Sequence, residues 1–123
     1  MSKDNINLGK AGEETAARIL KENGYKILKC NYKTRFSEID IIARDKDTIC
    51  FIEVKTRYSD RFGAPFESIT LLKQKKIFQS ALCFLKENNL FNRKARFDVV
   101  SITFRDEKAQ PELIKNAFQI DSI

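Results

Sequence analysis

Apolar residues recur along this chain in two periods, one that suits a helix and one that suits a strand. From residue 8 the run "LGKAGEETAARILKENG" sets Ala16, Ala17 and Leu20 on one stripe, with Glu13 one turn earlier on the same stripe. Glu14 falls in line with Arg18 and Lys21 on the solvent side. Lys21 in the last turn and Gly24 just past it mark the end of a first helix. "YKILKCNYK" then reads as a strand, and residues 38–43 and 49–56 make two more around the polar break "RDKDT".

The natural reading of that break is a hairpin. Pairing Arg44 with Ile49 leaves a loop from Asp45 to Thr48 and carries Asp40 opposite Glu53 and Glu38 opposite Lys55. Opposed residues share a face, with Cβ atoms about 4.5–5.5 Å apart, and a slip of one residue would separate the two acids. The alternation of Ile39 and Ile41 with Ile52 and Val54 on the other face supports this register.

"RYSDRFGAPFES", with Gly63 and Pro65, is a loop near the strand ends. "TLLKQKKIFQSALCFLKENN" follows as a second helix, with Thr70 as N-cap and a stripe of Leu71, Gln74, Phe78, Ala81, Leu82 and Leu85. "ARFDVVSITF" is a further strand, and "PELIKNAF" fits either a short last strand or a helix. Helix, three strands, helix, strand predicts one α/β domain, spanning residues 1–123, with a central mixed sheet flanked by helices.

Against that pattern some charges stand out. Glu38 and Asp40 sit between isoleucines, and Glu53 and Lys55 among Phe51, Ile52 and Val54. Buried charges need a partner, a hydrogen bond or a metal. Two facing carboxylates would repel by about 3 kcal/mol at an effective dielectric near 20. A proton, the Lys55 ammonium or a hard divalent cation such as Mg²⁺ relieves that repulsion. On spacing alone, an ion pair of Lys55 with Asp40 or Glu53 on a solvated face is at least an equal reading. Glu13 reads either as an inward acid or as a first-turn acid favoured by the helix dipole. Lys73 and Lys76 near the second helix's N-terminus suit phosphate, or else form an ordinary charged face.

Composition narrows the chemistry. The chain has 123 residues, 23 Lys and Arg against 17 Asp and Glu, and a net charge of +6, which suits a polyanionic partner. It has no histidine, which excludes Ser-His-Asp and Cys-His catalysis and any His-ligated zinc. Cys30, Cys50 and Cys83 form no CxxC pair and lie in apolar contexts, which together with the absence of a signal-like N-terminus points to the cytoplasm. No run approaches a membrane span.

Glu13, then Asp40, then Glu53-Val54-Lys55 is the order Asp–x12–Glu–x–Lys on adjacent strands with a helix-borne acid ahead of it. It resembles the PD-(D/E)XK nuclease superfamily, the restriction-endonuclease-like fold. The closer resemblance is to the YraN-like proteins of bacteria, which are similar to archaeal Holliday junction resolvases. It rests on "GKAGEETAARILKENGY", "NYKTRFSEIDIIARD", "FIEVKTR", "FGAPFESI", Lys73, "RFDVV" and "NAF", in order over nearly the whole chain. The resemblance implies a metal-dependent endonuclease acting on structured or branched DNA, with a homodimer as one form open to it, or a nucleic-acid-binding module that keeps the fold without turnover. It implies that Asp40 and Glu53, with the Val54 carbonyl, hold Mg²⁺ or Mn²⁺. It further implies that Lys55 orients or deprotonates water, that Glu13 completes the acidic site, and that Arg35, Arg57, Lys73 and Lys76 contact the nucleic-acid backbone. Ser37 stands where the family usually has Gly, a residue that allows close backbone approach or unusual dihedrals.

Overall fold

The structure, a computed structural model, describes residues 2–58, 69–106 and 108–119, with residues 2–8 described by backbone alone. Its elements are α1 (Ser2–Glu22), β1 (Lys26–Lys33), β2 (Glu38–Asp45), β3 (Thr48–Tyr58), α2 (Leu71–Glu87), β4 (Lys94–Arg105) and β5 (Lys108–Phe118). The predicted loop with Gly63 and Pro65 lies outside the described residues. The strands form one sheet in the order β1-β2-β3-β4-β5, antiparallel except for the β3–β4 pair. "PELIKNAF" resolves to strand, as the last eight residues of β5.

α2 connects the parallel pair β3 and β4, since parallel neighbours need a crossover and a helix supplies one. It packs over Ile42, Ile49, Phe51, Phe97 and Val99, while α1 covers Ile41, Ala43, Cys50, Ile52 and Val100 with Ala16 and Leu20. Coverage on both faces explains why β2, β3 and β4 carry near-continuous apolar runs. Ile41, Ile52 and Val54 do share the α1 side, but Ile39 packs with the α2-side cluster.

Leu20, Lys21, Gly24 and Tyr25 stop α1. Tyr25 N–H donates to the Leu20 carbonyl at 2.9 Å and Gly24 N–H to that of Lys21 at 3.0 Å, with Gly24 at φ 87°. Glycine takes that left-handed conformation without a Cβ penalty. The β2–β3 hairpin has the expected register, with Arg44 opposite Ile49, but a tighter turn. Asp45 and Thr48 pair, so Lys46 and Asp47 alone form it, with Lys46 at φ 57°.

α2 starts at Thr70, whose hydroxyl accepts from Lys73 N–H, as expected of an N-cap. Its buried face agrees with the expected one at Ala81 and Leu85, with Phe78 packed against the core, and departs from it elsewhere. Ile77, Ser80, Ala81, Phe84 and Leu85 are buried, whereas Leu71 and Leu82 are exposed. A stripe drawn through hydrophobic positions passes over Ser80, and Ser80 is what docks. Cys30, expected in an apolar setting, is exposed on edge strand β1, whereas Cys50 is buried.

α1 meets β3 at Gly12. A Cβ there would stand 2.3 Å from Thr56 Oγ1 and 3.2 Å from Thr56 Cβ. Rotating Thr56 relieves the first contact but not the second. Gly12→Ala is therefore expected to lower stability by about 1–3 kcal/mol, overriding the roughly 1 kcal/mol that alanine gains over glycine within a helix. Thermal unfolding checks this, and Gly12→Ala with Thr56→Ala should recover part of the loss. A Gly12→Ala variant as stable as wild type would show that α1 does not seat this closely.

Candidate active site

Asp40 and Glu53 come together where the β2–β3 ladder ends, one residue past its last pair, Ile41 and Ile52. Helices cover both faces of these strands, so acids here are drawn out of water. Glu53 is only 6% exposed. Val54 N–H, beyond the ladder, donates to Asp40 Oδ2 at 2.8 Å. The side chain thus takes the place of a strand partner and fixes the carboxylate against β3.

Burial is the main cause that pushes the Asp40 carboxyl up, to about 8. The Glu53 carboxyl adds a hydrogen bond and a like charge, Glu13 adds a further repulsion, and the Val54 N–H bond opposes them. The acid pair therefore holds a proton near neutral pH, as buried carboxylates in contact commonly do.

Lys73, reaching from the first turn of α2, places Nζ 2.8 Å from Glu53 Oε2 and is itself 46% exposed. The approach is electrostatic, since Oε2 accepts no hydrogen bond of good geometry. Lys55 is half-buried two residues beyond Glu53 on β3, which sets both on one side of the strand. Glu13, expected to point inward, is exposed, yet it lies close enough to act on Asp40. The helix does not turn Glu13 inward because Gly12 and Ala16 make the contact with the sheet.

The other predicted contacts lie on three different elements. Arg35 is exposed in the β1–β2 turn with its guanidinium 4.8 Å over the Phe36 ring. Lys76 is exposed on α2, and Arg57 is half-buried on β3.

The chemistry of the donor set suits a divalent cation. Two adjoining carboxylates, one raised in pKa and one with a buried oxygen lacking a directed donor, fit a hard cation that keeps several waters. Among the described residues, no three acid or cysteine side chains lie close enough to hold an ion between them. Asp40 and Glu53 would be the protein ligands, with waters and a substrate phosphate completing the shell.

Sequence reasoning missed the support beneath this site. Ser80, fully buried on α2, has its Oγ 2.7 Å from both Thr34 Oγ1 and Ser37 Oγ. Ser37 Oγ also donates to the Lys76 carbonyl at 3.1 Å. These hydroxyls tie the turn that leads into Asp40 to the helix that carries Lys73. Ser37 is not in the left-handed region, so no glycine is required there. The available signal was a serine at a position usually glycine; its partner Ser80 carried none.

Known proteins share this chain's sequence over nearly its whole length. The model of the uncharacterised protein family UPF0102 matches residues 12–102, a span that holds Glu13, Asp40, Glu53, Lys55 and Lys73. A UPF0102 protein of Syntrophus aciditrophicus is 48% identical over 116 residues, covering 94% of this chain and 91% of its own. One of Geobacter metallireducens is 46% identical over 120 residues, covering 98% of each. One of Clostridium perfringens is 43% identical over 122 residues, covering 98% of this chain and all of its own. With a family match and full-length relatives at this identity, the chain belongs to the UPF0102, or YraN-like, family.

Proposed function

We propose that the protein is a metal-dependent endonuclease that hydrolyses phosphodiester bonds in nucleic acid, with structured or branched DNA as its substrate. The observation that carries this reading is the Asp40–Glu53 pair, drawn together at the end of a strand ladder with Lys55 on the same strand. Such a pair is costly to a fold that has no use for it. Bound Mg²⁺ or Mn²⁺ would supply the charge that polarises a phosphoryl oxygen and activates water. Asp40, pinned by Val54 N–H, and Glu53 would fix the position of the phosphate. The Lys55 ammonium would orient the attacking water and stabilise charge that develops on the phosphoryl oxygens. Lys73 would leave Glu53 for the phosphate once the acid pair is neutralised, and exposed Arg35 and Lys76, with Arg57, would contact the backbone without reading sequence.

A junction presents symmetric strands, so a homodimer fits this substrate. Among the described residues no helix is long and apolar enough to cross a membrane. Work in the cytoplasm fits three free cysteines.

One observation favours a second reading, a binding module without turnover. The Lys73 ammonium already stands against Glu53, where a cation's charge is needed. The deciding experiment compares wild type with Glu53→Ala on labelled four-way junction, flap, single strand and duplex, in Mn²⁺, Mg²⁺ or EDTA. Cutting that needs metal and disappears in the variant is the expected result. Salt-sensitive binding with no cutting of any substrate would favour the binding module.

A further inference from the structure

A cavity of about 530 Å³ opens at the C-terminal end of α2, the opposite end from Lys73. The stretch from Lys73 to Glu87 spans about 20 Å at 1.5 Å per helical residue. Three cations line the cavity: Lys29 from β1, Arg44 from β2 and Arg93 from the loop before β4. Among the described residues none of the three is in an ion pair. Its one acid, Glu87, already accepts the Tyr32 hydroxyl at 2.6 Å. Tyr32 and Phe84 meet edge to face at 5.4 Å beside it, so cationic and aromatic groups line the same cavity.

The backbone is shaped to deliver these groups. Leu28 and Lys29 are consecutive yet both line the cavity, which an unbroken pleat would not allow. The β1–β2 register shifts between Ile27 and Lys29, and a bulge there re-aims a side chain. After α2, Asn89 at φ 57° lets Leu90 N–H donate to the Leu85 carbonyl at 2.8 Å. Arg93 N–H donates in turn to the Leu90 carbonyl at 3.0 Å, which ties down the loop that carries Arg93.

We propose that this cavity is a second nucleic-acid contact, in which Lys29, Arg44 and Arg93 hold a backbone phosphate and the aromatic wall takes the adjoining base. Cations alone would suit any anion. Cations beside aromatic side chains match the two parts of a nucleotide, and contact of a base with an aromatic side chain tolerates any sequence. Arg44 and Ile49 stand four residues along β2 and β3 from Asp40 and Glu53, about 13 Å at about 3.3 Å per strand residue. At about 3.4 Å per nucleotide along one strand, this contact therefore begins about four nucleotides from the acid pair. The proposal rests on the nucleic-acid reading above and extends it from one phosphate to a length of strand.

Binding of a labelled strand of about 20 nucleotides, single or duplex, is measured across salt concentrations in EDTA, so that cleavage plays no part. Arg44→Gln with Arg93→Gln is expected to weaken binding about tenfold and to reduce the slope of log affinity against log salt by about 0.7–0.9, the loss of one phosphate contact. Lys21→Gln, a charge change on α1 away from the cavity, should leave binding near wild type. Lys29→Gln with Arg93→Gln, both on exposed side chains, replaces the first pair if that variant fails to fold. Wild-type binding that these variants leave unchanged, or that Lys21→Gln weakens equally, would overturn the cavity as the contact. If wild type binds no strand at all, the nucleic-acid reading itself falls.

Discussion

Asp98→Ala is expected to cost about 3–5 kcal/mol of folding stability, read as a lower urea midpoint at unchanged slope. Asp98 is fully buried at the centre of a polar network in β4. Its Oδ1 accepts from Arg96 Nε at 2.9 Å and from Asn116 N–H at 2.8 Å. Its Oδ2 accepts from the Tyr25 hydroxyl at 2.9 Å and from an Arg96 terminal nitrogen at 3.1 Å. Arg96 also reaches Asp45 Oδ2 at 2.9 Å, and Lys115 approaches the same oxygen at 3.4 Å. Alanine would leave a guanidinium, a hydroxyl and a backbone N–H without their acceptor, and stranded buried groups are where large losses originate.

The network joins the end of α1, β2, β4 and β5, so its loss loosens the sheet at several joints. Arg96→Met combined with Asp98→Ala should cost less than the two changes summed, because the pair is coupled. A cost for Asp98→Ala below about 1 kcal/mol would mean that the network contributes little to stability. The Asp45 carboxyl adds an acid-side signature. The Arg96 hydrogen bond, ahead of Lys115, holds it below its usual value. Its contribution is therefore present above the unfolded pKa and lost as pH falls through the lower folded value.

Asp40→Asn is expected to abolish metal-dependent cutting and yet to stabilise the metal-free fold. The amide oxygen can still accept from Val54 N–H, while the charge beside Glu53 disappears. For wild type the sign follows from a carboxyl raised from 3.8 to about 8. Between those values the folded state keeps a proton that the unfolded state has released, so stability falls as pH rises through that window. The amide does not titrate, so the substitution removes that slope. Urea midpoints in EDTA should show the variant's advantage growing between about pH 5 and about pH 9, by at least about 1.4 kcal/mol, the worth of one unit.

Added Mg²⁺ should stabilise wild type and not the variant, by about 1.4 kcal/mol at ten times the dissociation constant. An advantage that does not grow with pH would show that Asp40 ionises as an ordinary aspartate. An equal Mg²⁺ response from both proteins would remove Asp40 from the ion's ligands.

The local chemistry of the chain carried much of this molecule. Helical and strand periods, Gly24 as a terminator, Thr70 as a cap and the Arg44–Ile49 register all follow from rules that act within a few residues, and the structure keeps them. The Asp40–Glu53 apposition was legible for the same reason, because a hairpin register is set by its turn and its alternation.

What escaped that reading depends on partners far apart in sequence. Ser80 was passed over because a hydroxyl reads as polar until Thr34 and Ser37 are seen to meet it, more than forty positions away. The face of α2 was misplaced in part with it, at Leu71 and Leu82. Asp98 could be read only as one acid in a strand, since Tyr25 and Asn116 arrive from opposite ends of the chain. Lys73 could not be assigned to Glu53 before the sheet and α2 were set against each other. Periodicity narrows which side of an element faces inward. It is silent on which polar group waits there, because that choice is made by packing between elements rather than within one.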